Sequence, residues 1–171
     1  MVGRNRGFYL SRLPVFVALA ALLLGGMWLL ERSDKQARDT IRKHHLEDIE
    51  RSLFFARGQH GTYPPYASSS WCGLLNAPAN AAVRAEVEAV LRAQNETYAN
   101  KAKPFPTDPL AEAGVDYFYW KRSPAVFELY AILEADPNGE RSTAGCDNAA
   151  ALTYDYGLNS AFRENRVTLT P

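Results

Sequence analysis

The longest feature of the hydrophobic pattern is an uninterrupted run: Leu13 to Leu30 reads LPVFVALAALLLGGMWLL, eighteen residues without a charge. As a helix, at about 1.5 Å rise per residue, it nearly crosses a hydrocarbon core of roughly 30 Å. A buried helix of a soluble domain needs apolar partners on all sides, and no other segment of the chain is comparably apolar. The run is therefore expected to be a membrane anchor. From Met27 to Arg57 there is neither Gly nor Pro, and the residues there are strong helix formers, so the helix should continue into water. Leu46, Ile49, Leu53 and Ala56 recur at three- and four-residue steps, whereas Ser33 to Lys43 is polar nearly all round. This predicts a docking stripe from about Ile41 onward, on a helix of about 66 Å from Leu13 to Ala56. Gly58 is placed to cap it in the left-handed conformation.

Gly61, Pro64 and Pro65 follow, and Ser68 to Ser70 make a polar loop before Trp71 and Cys72. Val83, Val87, Val90 and Leu91 share one face of a second predicted helix, Ala81 to about Thr97, with Asn80 as its cap. Pro104, Pro106 and Pro109 force an extended passage. Val115 to Lys121 and Val126 to Glu134 are aromatic and aliphatic, and Arg122 to Ala125 separate them as in a hairpin. After a polar loop, Asp136 to Asn148, short strands are expected at Thr153 to Leu158 and Val167 to Thr170. The predicted class is α+β: a long N-terminal helix, half transmembrane and half amphipathic, packed on a small antiparallel sheet of three or four strands.

Charge sharpens this picture. Among 171 residues, nineteen basic side chains balance nineteen acidic ones. Without a concentrated positive face, nucleic acid is set aside as a partner. Arg4, Arg6 and Arg12 precede the apolar run, and Glu31 and Asp34 dilute the charge after it, which puts the N-terminus in the cytoplasm and the bulk outside. A cleaved secretory signal begins in the same way, but this run is longer, and no small-x-small site follows it. Trp28 stands near the outer end, where an interfacial aromatic belongs. Cys72 and Cys146 are the only cysteines. On the oxidising side of a membrane they are expected to pair, stabilising the head by about 4 kcal/mol in the chain-entropy model. Two buried free thiols are the alternative, and a redox or metal pair lacks the CxxC spacing.

Little else suggests chemistry. His44 and His45 adjoin Glu47 and Asp48, but neighbours on a helix point about 100° apart and do not easily share an ion; both are expected to be exposed. His60 has no partner visible in sequence, and the sequon Asn95-Glu96-Thr97 reads as incidental. No nucleophile motif or phosphate loop appears, so no enzymatic activity and no resident cofactor are expected. Tyr63, Tyr66, Tyr117, Phe118, Tyr119, Trp120, Tyr130, Tyr154 and Tyr156 make the head aromatic; most should pack the sheet on the helix, and outward ones can serve contacts with neighbours or cargo.

The order of these parts resembles the type IV pilins and the pseudopilins of type II secretion, the major pseudopilin above all. A short basic leader ends in Gly7 followed by Phe8, similar to a prepilin peptidase junction, and the apolar helix follows at once. Asp48-Ile49-Glu50 through Phe54, then Gly61-Thr62-Tyr63-Pro64-Pro65, resembles the end of the long pilin helix and its turn. Phe105 to Leu110 (FPTDPL) resembles the proline and aspartate segment before the sheet. Tyr117 to Trp120 and Phe127 to Glu134 are similar to the two sheet strands. The resemblance covers nearly the full chain. It implies a cytoplasmic leader at 1–7, a transmembrane helix at 8–30, an amphipathic continuation at 31–60 and an extracytoplasmic head at 61–171.

The resemblance also implies membrane lipid and other pilin-like or secretion-system subunits as partners. It further implies residence in a bacterial inner membrane, with the head periplasmic or extracellular. One residue departs from the pattern: Arg12 stands where pilins usually carry a glutamate, which in filaments is thought to pair with a neighbour's N-terminal amine, and a cation there repels it. A non-polymerising, membrane-tethered binding module with a pilin-like head is thus the alternative function, and Gly7 and Phe8 also occur ahead of ordinary signal anchors. The major pseudopilin carries calcium in the loop after its second sheet strand. The matching loop here holds Asp136, Asn138, Glu140 and Asp147, weak calcium candidates that fit a solvated turn equally.

Overall fold

The computed structural model describes residues 13–99, 104–135, 142–144, 146, 152–154 and 156–160. The chain divides into two compact units, Met1–Ala37 and Arg38–Pro171. Helix α1, Leu13–His60, is a single element of 48 residues. In the first unit its large apolar side chains are bare: those from Val15 to Leu30 are between 57 and 75 % exposed. The helix is long and apolar enough there to be a candidate membrane anchor.

In the second unit, the head, Leu46, Ile49, Leu53 and Ala56 of α1 are buried as their spacing predicts. The helix passes through Gly58 and ends three residues later than expected. Gly61, at φ 72°, supplies the left-handed turn, and its N–H donates to the Arg57 carbonyl at 2.8 Å. That conformation excludes most side chains, and it falls where the chain reverses toward buried Tyr63.

Strand β1, Trp71–Leu74, was not anticipated. All four of its residues are half-buried, so it carries no alternation to read, and pairing with the next strand makes it a strand. A 3-10 turn, Pro78–Asn80, leads into α2, Ala81–Ala99. Asn80 does not cap α2 with its side chain as expected; its Nδ2 donates to the Leu74 carbonyl at 2.8 Å and fastens the end of β1. Val83, Val87, Val90 and Leu91 are buried as predicted.

Strands β2, Phe118–Ser123, and β3, Val126–Ala131, form the expected hairpin. The region read as a strand from Thr153 to Leu158 is two: β5, Leu152–Tyr154, pairs with β4, Ser142–Ala144, whereas β6, Tyr156–Asn159, pairs with β3. The result is an antiparallel four-stranded sheet in the order β1-β2-β3-β6 with a separate two-stranded ribbon. At the β3–β6 seam, Gly157 lies opposite Tyr130, and a Cβ there would stand 2.6 Å from the tyrosine ring. The strand expected at Val167 to Thr170 lies outside the described residues.

The sheet is two-faced, as strand alternation dictates. Tyr117, Tyr119, Phe127, Leu129 and Ala131 join α1 and α2 residues in the main core. Phe118, Trp120, Tyr130, Ile132, Cys72 and Cys146 form a second cluster. This is the α+β architecture that the pattern predicts.

Candidate functional site

The spacing of α1 extends further back than its apolar residues. Asp39 and Arg42 continue the three- and four-residue steps of Leu46, Ile49, Leu53 and Ala56, and both are buried. The inward face therefore begins with charge, whereas Ile41, expected to open the docking stripe, is 43 % exposed. Arg42 has no exposed surface. Its Nε and Nη2 grip both oxygens of Asp108 at 2.8 and 3.1 Å, and its Nη1 donates to Asp39 and Glu134 at 2.8 and 2.7 Å. Arg38 adds a second fork onto Glu134, at 2.9 and 2.7 Å. Asp39 also accepts the backbone N–H groups of Glu134 and Ala135, and Asp108 accepts that of Leu110.

Each charge here is compensated by forked, charge-assisted bonds of the strong kind. Burial alone would lower the proton affinity of Arg42, but Asp108, Glu134 and Asp39 more than offset it and push it up. The two arginines, Arg38 first, hold the Glu134 carboxyl at about 2. All three guanidinium nitrogens of Arg42 are spent, so the cluster works as a clamp joining α1, the 104–110 passage and the segment after β3. Strand β3, Val126–Ala131, stops short of the expected Glu134, and the Glu134 and Ala135 amides donate to Asp39 instead of to a ladder.

Other polar groups of the head are fasteners too. His45, expected to be exposed, is half-buried, and its Nδ1 lies 2.8 Å from the Tyr117 hydroxyl. Burial lowers the imidazole's pKa and raises that of the tyrosine. His44 is exposed, as expected. His60 packs on Tyr66 at 4.5 Å between ring centroids. Buried Asp116, raised by desolvation, accepts from Asn76 and from the Tyr117 amide, which delays the start of β2 to Phe118. Lys121 points inward from β2, and its ammonium donates to the Pro65 and Ser68 carbonyls, fixing the turn after α1. Cys72 and Cys146 are joined, with Cα atoms 5.7 Å apart, as expected. Asn95 to Thr97 lie on α2, where the Thr97 hydroxyl donates to Ala93.

One hollow, of about 210 Å³, opens between the last turns of α1 and the middle of α2. Phe55, Ala56, Tyr66, Ala89 and Val90 make its apolar wall, with Glu86 and His60 at its rim. Among the described residues no group of three or more His, Cys, Asp or Glu side chains is arranged to hold a metal ion. Asp136, Asn138, Glu140 and Asp147 lie outside the described residues, as do Gly7, Phe8 and Arg12.

No protein-family model, curated protein or solved structure matches the chain. Two features of the chain itself bear on function: the bare apolar run from Leu13 to Leu30, and a head held together by a buried charge clamp around Arg42. Sequence reasoning found the first and missed the clamp. The signal for the clamp was the unbroken spacing back to Asp39, hidden because those positions are charged.

Proposed function

We propose that the chain is a pilin-like structural subunit, anchored in the bacterial inner membrane, for a filament of the type II secretion or type IV pilus kind. In this reading its N-terminus is cytoplasmic and its head periplasmic or extracellular. The observation that carries the reading is α1 itself. One 48-residue helix supplies both an unpartnered apolar run and the buried spine of a small antiparallel head. A bare face of that size in water is a liability unless lipid or neighbouring subunits cover it. A subunit that passes from bilayer to filament exchanges one cover for the other. The spent polar groups of the clamp fit a structural role, and in this reading the partners are membrane lipid and other pilin-like subunits.

A photo-crosslinker at Leu24, in the chain's own membrane, tests the proposal. Adducts with pilin-like or secretion-system subunits are expected, and adducts with lipid alone under conditions that support secretion or piliation would contradict it.

A second reading, a non-polymerising tethered module that binds a partner with the same head, is favoured by Arg12 and by the apolar hollow beside Tyr66. It predicts an uncut N-terminus and loss of partner capture when Ala89→Trp fills the hollow.

A further inference from the structure

The bare run ends at Leu30, and the side chains of Trp28 and Arg32, on either side of that end, face each other. The Arg32 guanidinium carbon stands 5.6 Å from the centre of the Trp28 ring, one helical turn away. Trp28 is exposed, as is Arg32. The other nearby cation is engaged: Lys35 donates to Glu31 at 2.6 Å. Arg32 has no ion-pair partner among the described residues. Asp34, two positions on, points to the opposite side of the helix and leaves the Arg32 face uncompensated.

We propose that Arg32, steadied over Trp28, binds the phosphate of a membrane phospholipid and so sets the depth at which α1 leaves the bilayer. The proposal rests on reading Leu13 to Leu30 as the membrane-spanning run. Arg32 lies about 3 Å of helix rise beyond Leu30, at the level where the hydrocarbon gives way to headgroups. An indole is at home in that layer, with its body in the acyl boundary and its N–H toward water. A guanidinium held against a ring face keeps its in-plane donors free, and their fork matches two phosphate oxygens. Phospholipid continues the cover that the apolar run already requires. The cation therefore meets its anion without a second protein.

The full chain, labelled with 5-fluorotryptophan and reconstituted into bilayers of phosphatidylcholine and phosphatidylglycerol, provides the test by fluorine NMR. The Trp28 resonance is the one lost in Trp28→Phe. Nitroxide lipids labelled at the headgroup or near the acyl end report its depth. In the wild type the headgroup label should relax Trp28 more strongly than the acyl-end label. In Arg32→Gln the resonance should shift toward the acyl-end label, and in phosphate-free galactolipid bilayers wild type and Arg32→Gln should coincide. Equal depths for wild type and Arg32→Gln in phospholipid, or a difference between them that persists without phosphate, would overturn the phosphate contact while leaving the anchor intact. Relaxation by neither label would overturn the anchor reading itself.

Discussion

Leu22 and Arg42 lie on the same helix and invert the usual relation between polarity and burial: the leucine is 75 % exposed and the arginine 0 %. The difference is one of partners. Among the described residues Leu22 stays exposed, so nothing described in the chain removes its side chain from water. Around Arg42 the chain brings Asp39, Asp108 and Glu134 to hydrogen-bonding distance, and a buried cation with that company is tolerated where a lone one is not. Hydropathy alone thus finds the part of the helix that needs something outside the chain, and complementary charge finds the part that does not.

Removing the cation should break this contrast most. Arg42→Ala leaves Asp108 and Asp39 buried without their counter-ion and is expected to cost about 3–5 kcal/mol in denaturant unfolding of the full chain in detergent. A loss below about 1 kcal/mol would mean that water replaces the guanidinium and that the clamp is not dry. Next, the paired substitution Cys72→Ser and Cys146→Ser opens a link spanning 74 positions. It should cost about 4 kcal/mol in the chain-entropy model, and strain would make it less. Differential alkylation of the wild type should find neither thiol free.

Acid should reach the two halves of the head's polar system in sequence. A group whose folded pKa lies below its unfolded value stabilises the fold above the unfolded value and ceases to do so as the pH falls. His45, lowered chiefly by burial, therefore begins to destabilise the fold as the pH drops below about 6.5. Glu134, ordinarily near 4.5 and held at about 2, withdraws its support between those two values. The carboxylate is partly exposed, so its share is about 2 kcal/mol after allowance for screening. In Glu134→Gln the lower limb of the stability–pH curve should flatten while the upper limb stays; an unchanged lower limb would assign the acid loss elsewhere. The smallest effect belongs to the bare region. Leu22→Ala should move unfolding of the head by less than about 0.5 kcal/mol, because its side chain is exposed and lies outside the head's core.

The contrast also explains what the sequence made readable. The bare run is displayed directly as an unbroken apolar stretch, and the α1 stripe, the β2–β3 hairpin and α2 by apolar periodicity. Strand β1 is four half-buried residues whose identity as a strand comes from Phe118 to Lys121 across the ladder. The division of Thr153 to Leu158 into β5 and β6 depends on two different partner strands. The clamp joins Arg42 to residues 66 and 92 positions away, and long-range charge pairing leaves no period. It does leave Asp39 and Arg42 in phase with Leu46, which reads as part of the inward face once charge is allowed there. His45 was misjudged for the same reason: its partner, the Tyr117 hydroxyl, is 72 positions distant.

The central claim is that α1 belongs to a pilin-like subunit, and processing of the N-terminus tests it most directly. Intact-mass and N-terminal peptide mass spectrometry of the chain purified from its own membrane should find it beginning at Phe8, after cleavage following Gly7. A chain beginning at Met1 in cells whose other pilin-like proteins are processed, with no crosslinks to filament subunits, would contradict the account.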